Sequence, residues 1–211
     1  EQILDSLKNP GWNRLFHIYD AFKLGIPFKT IQKLTRIDAW FLNQIEELVN
    51  SLNFEDARIV SDGDGGHHNE KYRKSNVKWI YFSEETKWLF VKLMKLIQAT
   101  NNEHWGFDLV MAREPIQYTE YTDDGHYGWH IDAGGGYMNQ RKVSVSVLLS
   151  DPNDYEGGDL QLWSGGNSIS TASKGAGVVF IFPSYMMHRV SKITKGTRRS
   201  FVLWVGGDHY R

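Results

Sequence analysis

From Trp105 onward the sequence falls into eight short stretches with a two-residue apolar period, separated by turns rich in Gly, Asn and Asp. The stretches are 106–112, 115–122, 126–132, 142–150, 158–163, 177–182, 187–193 and 198–205. Many short strands in succession are expected to close into a two-sheet barrel or jelly roll. The fold class expected is α+β but mainly β, with flanking helices. Ahead of the barrel, 77–82 reads as a strand. Ser83 reads as the cap of a helix running to about Ala99, with Leu89, Leu93, Leu96 and Ile97 on its apolar side.

Before residue 53 the period is helical instead. Leu15, Ile18 and Phe22 share one spacing, and Phe41, Ile45 and Leu48 share another, with Gly25-Ile26-Pro27 between them and Asp38 as a candidate N-cap. The change of period predicts a helical N-terminal element at 1–53 and a β domain at 54–211. Asp62-Gly-Asp-Gly-Gly-His-His-Asn69 has loop composition. Its adjacent His67 and His68 would face opposite ways on a strand and could not easily share one metal, so a mobile surface loop is favoured, with a substrate-side lid as the alternative.

Composition removes several classes. The 211 residues contain no cysteine, so any metal must be held by His, carboxylate or carbonyl ligands. The 24 basic and 25 acidic side chains leave a net charge of −1, which argues against non-specific nucleic-acid binding. No apolar run has the length of a membrane span, and no signal-peptide pattern opens the chain. A cytoplasmic protein is the default expectation, although a chain beginning at Glu1 leaves a trimmed leader open.

One constellation carries chemistry. Tyr127-Gly-Trp-His-Ile-Asp132 sets His130 and Asp132 two apart on an expected strand, facing the same side. Gly134-Gly-Gly136 then lets the chain turn away and leaves room beside an ion. Pro183-Ser-Tyr-Met-Met-His188 supplies a second histidine. Two histidines and one carboxylate form a facial triad with open positions, the arrangement of non-haem Fe(II) oxygenases. In Gly196-Thr-Arg198-Arg-Ser200, Arg198 and Ser200 share a face and Arg199 points the other way. An inward guanidinium needs an anion, because an unpaired buried charge is costly. The distal carboxylate of 2-oxoglutarate would satisfy it, with Ser200 as a further donor.

Several neighbours have simpler readings. Glu156-Gly-Gly-Asp-Leu160 reads as a turn and strand start, Trp129 as packing outside the barrel or at its rim, with a wall of the substrate entrance as the alternative, and His126 as a solvent-facing turn residue or part of the pocket mouth.

From Tyr121 to the end, the residues resemble the PKHD-type, prolyl-4-hydroxylase-like 2-oxoglutarate oxygenases. The resemblance is carried by 121–132, 141–160, 182–190 and Gly196-Thr-Arg198, including an arginine ten positions after the second histidine. It implies a double-stranded β-helix, with iron on His130, Asp132 and His188 and 2-oxoglutarate on Arg198, near Tyr121. Dioxygen would be the other co-substrate, with ascorbate as an accessory reductant. The prime substrate is an unidentified peptide or small molecule, with a prolyl or other peptidyl side chain suggested. The animal prolyl-hydroxylase branch places a co-substrate-binding tyrosine on the strand after the His-x-Asp pair. Here that strand reads Val-Ser-Val-Leu-Leu, so the contact is absent or replaced. Arg198-Arg-Ser-Phe-Val-Leu also lacks the second arginine of the DNA-repair branch, which further disfavours nucleic acid.

The N-terminal stretches 14–25 and 35–49 resemble the helical oligomerisation region of the carbamoyl phosphate synthetase large subunit. That resemblance implies a docking element, and a homo-oligomer formed through these helices, with no catalytic residues. Two alternatives stay open from the sequence: a degenerate binding module on the same barrel, or a cupin-like metalloprotein. Metal-dependent succinate production from 2-oxoglutarate separates them.

Overall fold

The computed structural model describes residues 69–112 and 114–209, a strand at 55–56, and the isolated positions 4, 26 and 30. The chain divides into two compact units, Glu1–Asn53 and Phe54–Arg211. The expected N-terminal helices and the loop carrying His67 and His68 lie outside the described residues.

The second unit is a two-sheet antiparallel structure. One sheet has seven strands, ordered β1 (Glu55–Asp56), β3 (Asn76–Ile80), β5 (Ile116–Tyr121), β14 (Arg198–Gly207), β7 (Arg141–Leu148) and β11 (Val179–Pro183), with β4 (Leu109–Met111) also paired to β14. The other has five, ordered β10 (Ile169–Thr171), β9 (Leu160–Trp163), β12 (His188–Val190), β6 (His126–His130) and β2 (Arg73–Lys74). A two-stranded ribbon joins β13 (Ile193–Gly196) to β8 (Tyr155–Gly157). Every pairing is antiparallel. Consecutive strands often lie in different sheets, as expected of a jelly roll.

Alternation along the strands decides what the interior contains. On β14, Phe201, Leu203 and Val205 are buried on one face, at 1% exposure or less. The opposite face offers Arg198, Ser200, Val202 and Trp204, all of which line a cavity of about 750 Å³. Tyr121, Gln117, Ser146 and Phe182 line it from the same sheet, and Tyr127, His130, Leu160, His188 and Val190 from the other. The cavity thus sits between the sheets, and its walls mix apolar and hydrogen-bonding groups.

The expected helix is α1 (Lys87–His104), shifted later than Ser83–Ala99 at both ends. Thr86 occupies the N-cap position. Its hydroxyl donates to the Tyr81 carbonyl, while the Ser83 carbonyl takes the N–H groups of Thr86 and Lys87, forming a turn before the helix proper. The helix runs beyond Ala99 because a buried polar residue, Asn101, is fully used. Its amide donates to the Phe107 carbonyl and its oxygen accepts the Phe107 N–H, tying down the C-terminus. Gly106 follows with φ +66°, the left-handed conformation that ends helices. Leu89, Phe90, Leu93 and Ile97 form the buried stripe, whereas Leu96 is exposed. Among the described residues, no helix is long and apolar enough to cross a membrane.

Three strand expectations need correction. The stretch 126–132 ends at His130, so Asp132 lies beyond the strand on a bend. The single strand 187–193 is two strands: β12 keeps to the five-stranded sheet, and β13 leaves it to pair with β8. The edge strand β10 was not anticipated, because its three residues are all exposed and show no alternation.

Candidate metal and anion site

His130 and His188 come together because β6 and β12 pair with His130 opposite His188. Their rings sit 4.1 Å apart, tilted by 51°. Each Nδ1 faces a main-chain carbonyl two residues back, Gly128 at 2.8 Å and Met186 at 2.9 Å. A carbonyl can only accept, so each Nδ1 must carry a hydrogen, and Nε2 is the nitrogen left to bind an ion. Both Nε2 atoms face the same carboxylate: that of His130 is 3.7 Å from Asp132 Oδ1, and that of His188 is 3.5 Å from Asp132 Oδ2. One donor atom from each residue lies within 4.8 Å of the others, close enough to hold one ion.

Asp132 reaches this position from a bend, not from strand alternation. The N–H groups of Asp132 and Ala133 both donate to the Ser184 carbonyl at 2.9 Å. The Arg141 guanidinium donates to the Asp132 carbonyl at 3.2 Å, and the Ser144 hydroxyl donates to Oδ2 at 2.6 Å. Arg141 is itself held by a two-point contact with Glu114, and its guanidinium lies 4.1 Å over the Trp204 ring.

The electrostatics follow from burial. Burial pushes the His130 imidazole well below its ordinary range, and the neighbouring His188 adds to this. Burial alone would raise the Asp132 carboxyl. His188, His130, the Ser144 hydroxyl and Arg141 outweigh it and hold the group ionised. Tyr127, stacked 3.6 Å from His130, is pushed up to about 12 by burial and stays neutral. Two imidazoles that turn their Nε2 atoms toward one carboxylate are the donor set that a divalent metal needs.

The anion end lies elsewhere in the cavity. Arg198 is 1% exposed. Its Nη1 donates to Ser200 Oγ at 3.0 Å, but its Nε has no hydrogen-bond partner. Among the described residues, no carboxylate lies within ion-pair distance of it. Burial lowers its pKa, and the nearby Tyr121, Tyr155 and Asp159 offset this only in part. The cross-strand register sets Tyr121 opposite Arg198, with the ring centroid 5.4 Å from the guanidinium carbon. Gly158 lets the Arg198 stem pass, since a Cβ there would stand 3.0 Å from Arg198 Cδ. Arg199 turns outward and pairs with Glu120 at 2.8 Å.

The other singled-out residues take structural places. Trp129 stacks under Arg189 at 4.6 Å and does not line the cavity. His126 spans the carbonyls of Asp124 and Lys71. Glu156 pairs with Lys195, Asp159 pairs with Lys174, and Leu160 begins β9. Sequence reasoning passed over Ser144, Ser184, Arg141, Glu114 and Trp204. Inward serines on an otherwise apolar strand were the one visible signal.

Residues 116–206 match the 2OG-Fe(II) oxygenase superfamily, and residues 1–64 match the oligomerisation domain of the carbamoyl-phosphate synthetase large chain. A PKHD-type hydroxylase of Sphingopyxis alaskensis is 37% identical over 113 residues, which are 51% of this chain and 50% of that protein. A PKHD-type hydroxylase of Acidovorax ebreus is 30% identical over 97 residues, 43% of this chain and 42% of its own length. The chain thus spans half or less of these relatives. The Trichoplax adhaerens prolyl hydroxylase, solved with a hypoxia-inducible-factor peptide fragment, superimposes with a TM-score of 0.64. It shares 20% identity and covers 78% of this chain and 76% of its own, a likeness of fold.

Proposed function

We propose that the chain is a hydroxylase of the 2OG-Fe(II) oxygenase superfamily, which residues 116–206 match, in which His130, Asp132 and His188 hold Fe(II) and Arg198 holds 2-oxoglutarate. One observation carries this reading: three metal donors share a cavity with a fully buried guanidinium that has no carboxylate partner among the described residues. Buried cations are costly unless paired, and a dicarboxylate with one end at the donors and the other at Arg198 answers both needs. A degenerate binding module would have no use for the complete set.

In this reading the bound metal supplies the oxidising chemistry, in which 2-oxoglutarate becomes succinate and carbon dioxide and one oxygen atom of dioxygen enters a substrate C–H bond. The chain's own residues bind, orient and shield. Arg198 and Ser200 fix the distal carboxylate, with Tyr121 beside them. Phe182, Leu160 and Val190 keep that end dry.

The other end of β14 faces the prime substrate. Trp204 stands six residues, or about 20 Å, along the strand from Arg198. It pairs with Ser144, whose hydroxyl meets Asp132, so it borders the metal donors. Its indole N–H is buried without a partner and lines the cavity with Trp79 and Arg141. A prolyl residue suits such a wall: its ring packs on aromatics, and its flanking carbonyl accepts a hydrogen bond. The PKHD-type relatives and the peptide-bound prolyl hydroxylase of similar fold support a peptidyl substrate. The match at 1–64 supports self-association through the N-terminal element, checked by light scattering of the full chain against a variant lacking 1–53.

The test is Fe(II)-dependent conversion of 2-oxoglutarate to succinate by the full chain, followed by a screen of proline-containing peptides for a mass gain of one oxygen. Trp204→Phe should weaken peptide turnover while leaving Mn(II) and 2-oxoglutarate binding within twofold. Absence of metal-dependent succinate under any substrate, with Mn(II) and 2-oxoglutarate unbound, overturns the reading.

A further inference from the structure

The Asp132 carboxylate accepts a hydrogen bond from Ser144, which leads on to a second buried serine, Ser184. Ser144 and Ser184 are both completely buried. Ser144 Oγ is 2.6 Å from Asp132 Oδ2 and 2.9 Å from Ser184 Oγ. An ionised carboxylate only accepts, so the single Ser144 hydrogen goes to Oδ2, and the Ser184 hydroxyl must donate to Ser144. Ser184 also acts through its main chain, since its carbonyl receives the N–H groups of Asp132 and Ala133. One residue thus grips both the backbone and, through Ser144, the side chain of Asp132.

A carboxylate with two free oxygens can chelate a metal through both, closing a position that a co-substrate needs. We propose that Ser144, backed by Ser184, is a positioning residue: it engages Oδ2, which also faces His188 Nε2 at 3.5 Å, and so leaves Oδ1 as the carboxylate oxygen free of hydrogen bonds for the metal. The inference rests on the metal-site reading above and adds to it how the carboxylate binds. Both serines were placed for this by register: Ser144 lies opposite Phe182 on β11 and Trp204 on β14, facing the cavity side, while Ser184 starts the turn that leads into His188. Neither hydroxyl makes any other hydrogen bond among the described residues, so their placement is spent on Asp132.

The experiment uses the full chain without 2-oxoglutarate. Mn(II) affinity is titrated, and the visible absorption of the Co(II) form recorded, for wild type, Ser144→Ala, Ser184→Ala, the double variant and Asp132→Ala. Ser144→Ala should weaken Mn(II) binding about 10-fold, the scale of lost outer contacts to metal ligands. It should also change the Co(II) bands, because the freed oxygen alters the coordination number. Ser184→Ala should shift both readouts the same way by about 3-fold, a fraction of that scale. The double variant should be no worse than Ser144→Ala, since the Ser184 hydroxyl acts only through Ser144. A structural role alone would lower thermal stability and leave the Co(II) bands in place.

Wild-type Mn(II) affinity and Co(II) bands in both single variants, with Asp132→Ala unable to bind, overturn the proposal and leave the metal site standing. Unchanged Mn(II) binding by Asp132→Ala overturns the metal site and the proposal together. Should Ser144→Ala fail to fold, Ser184→Ala decides alone: shifted bands sustain the proposal, and unshifted bands overturn it.

Discussion

The two ends of the cavity are built by different means. At the anion end, Arg198, Ser200 and Tyr121 stand at ordinary ladder positions, two apart along β14 or directly opposite on β5. At the metal end, only the histidines are on strands. The β6–β12 register shifts just past His188, and Asp132 hangs on a bend held by two side chains of β7 and the Ser184 carbonyl. Regular strands orient a long side chain toward a ligand's far end with little support. Bringing three short donors to one point within 4.8 Å needed backbone that alternation cannot supply.

The largest effect should come from the metal end. His188→Ala removes a donor, so Mn(II) affinity should fall by on the order of 100-fold or more, beyond the usual cost of an outer contact. The comparison would break if 2-oxoglutarate affinity without metal fell as well, because the two ends would then be one unit. Arg198→Ala tests the converse. It should cost 2-oxoglutarate roughly 2–5 kcal/mol, or about 30- to several-thousand-fold in affinity, with Mn(II) affinity alone unchanged. Arg198→Lys should recover only part, lacking the planar fork. Both are read by titration with Mn(II) in place.

A smaller effect concerns pH. His130 is held neutral in the fold below its ordinary range, so at mildly acid pH the unfolded chain binds the extra proton. That part of the stability is complete above pH ~6.5 and is lost as pH falls toward the folded value, about 1 kcal/mol over the first unit. Denaturant midpoints of the metal-free chain between pH 7.5 and 5.5 should show it, and His130→Gln should flatten the slope. Arg198→Ala should not flatten it, which again separates the ends. The smallest effect belongs to Arg199→Ala. Its exposed pair with Glu120 is worth about 0.2–1 kcal/mol of stability, and 2-oxoglutarate affinity should not move. A loss of 2-oxoglutarate affinity there would reverse the face assignment of β14.

The same contrast explains what could be read from the sequence. Inward Arg198 and Ser200 and outward Arg199 follow from a period of two, and β14 obeys it. The grouping of His130, Asp132 and His188 was legible as a motif, but the reason offered for it was wrong. Asp132 shares no strand face with His130; it arrives there through Ser184, Arg141 and Ser144, which are distant in sequence. Strands β10 and β13 escaped because exposed or ribbon-forming residues carry no apolar alternation. The run of α1 to His104 escaped because the polar Asn101 looks like a stop until its partners at Phe107 are known. Trp204 carried no signal in the sequence, and its unpartnered indole N–H marks it only in the structure.

The Ser184 carbonyl that takes two N–H groups also has a consequence in time. Asp132 and Ala133 lie outside any ladder, where amides ordinarily exchange with solvent water quickly. Sharing one buried acceptor, they can be exposed only when the turn leading to His188 lifts away. The carboxylate bend and the second histidine therefore form one opening unit, and their amides should exchange in step, far more slowly than those of the exposed strand β10.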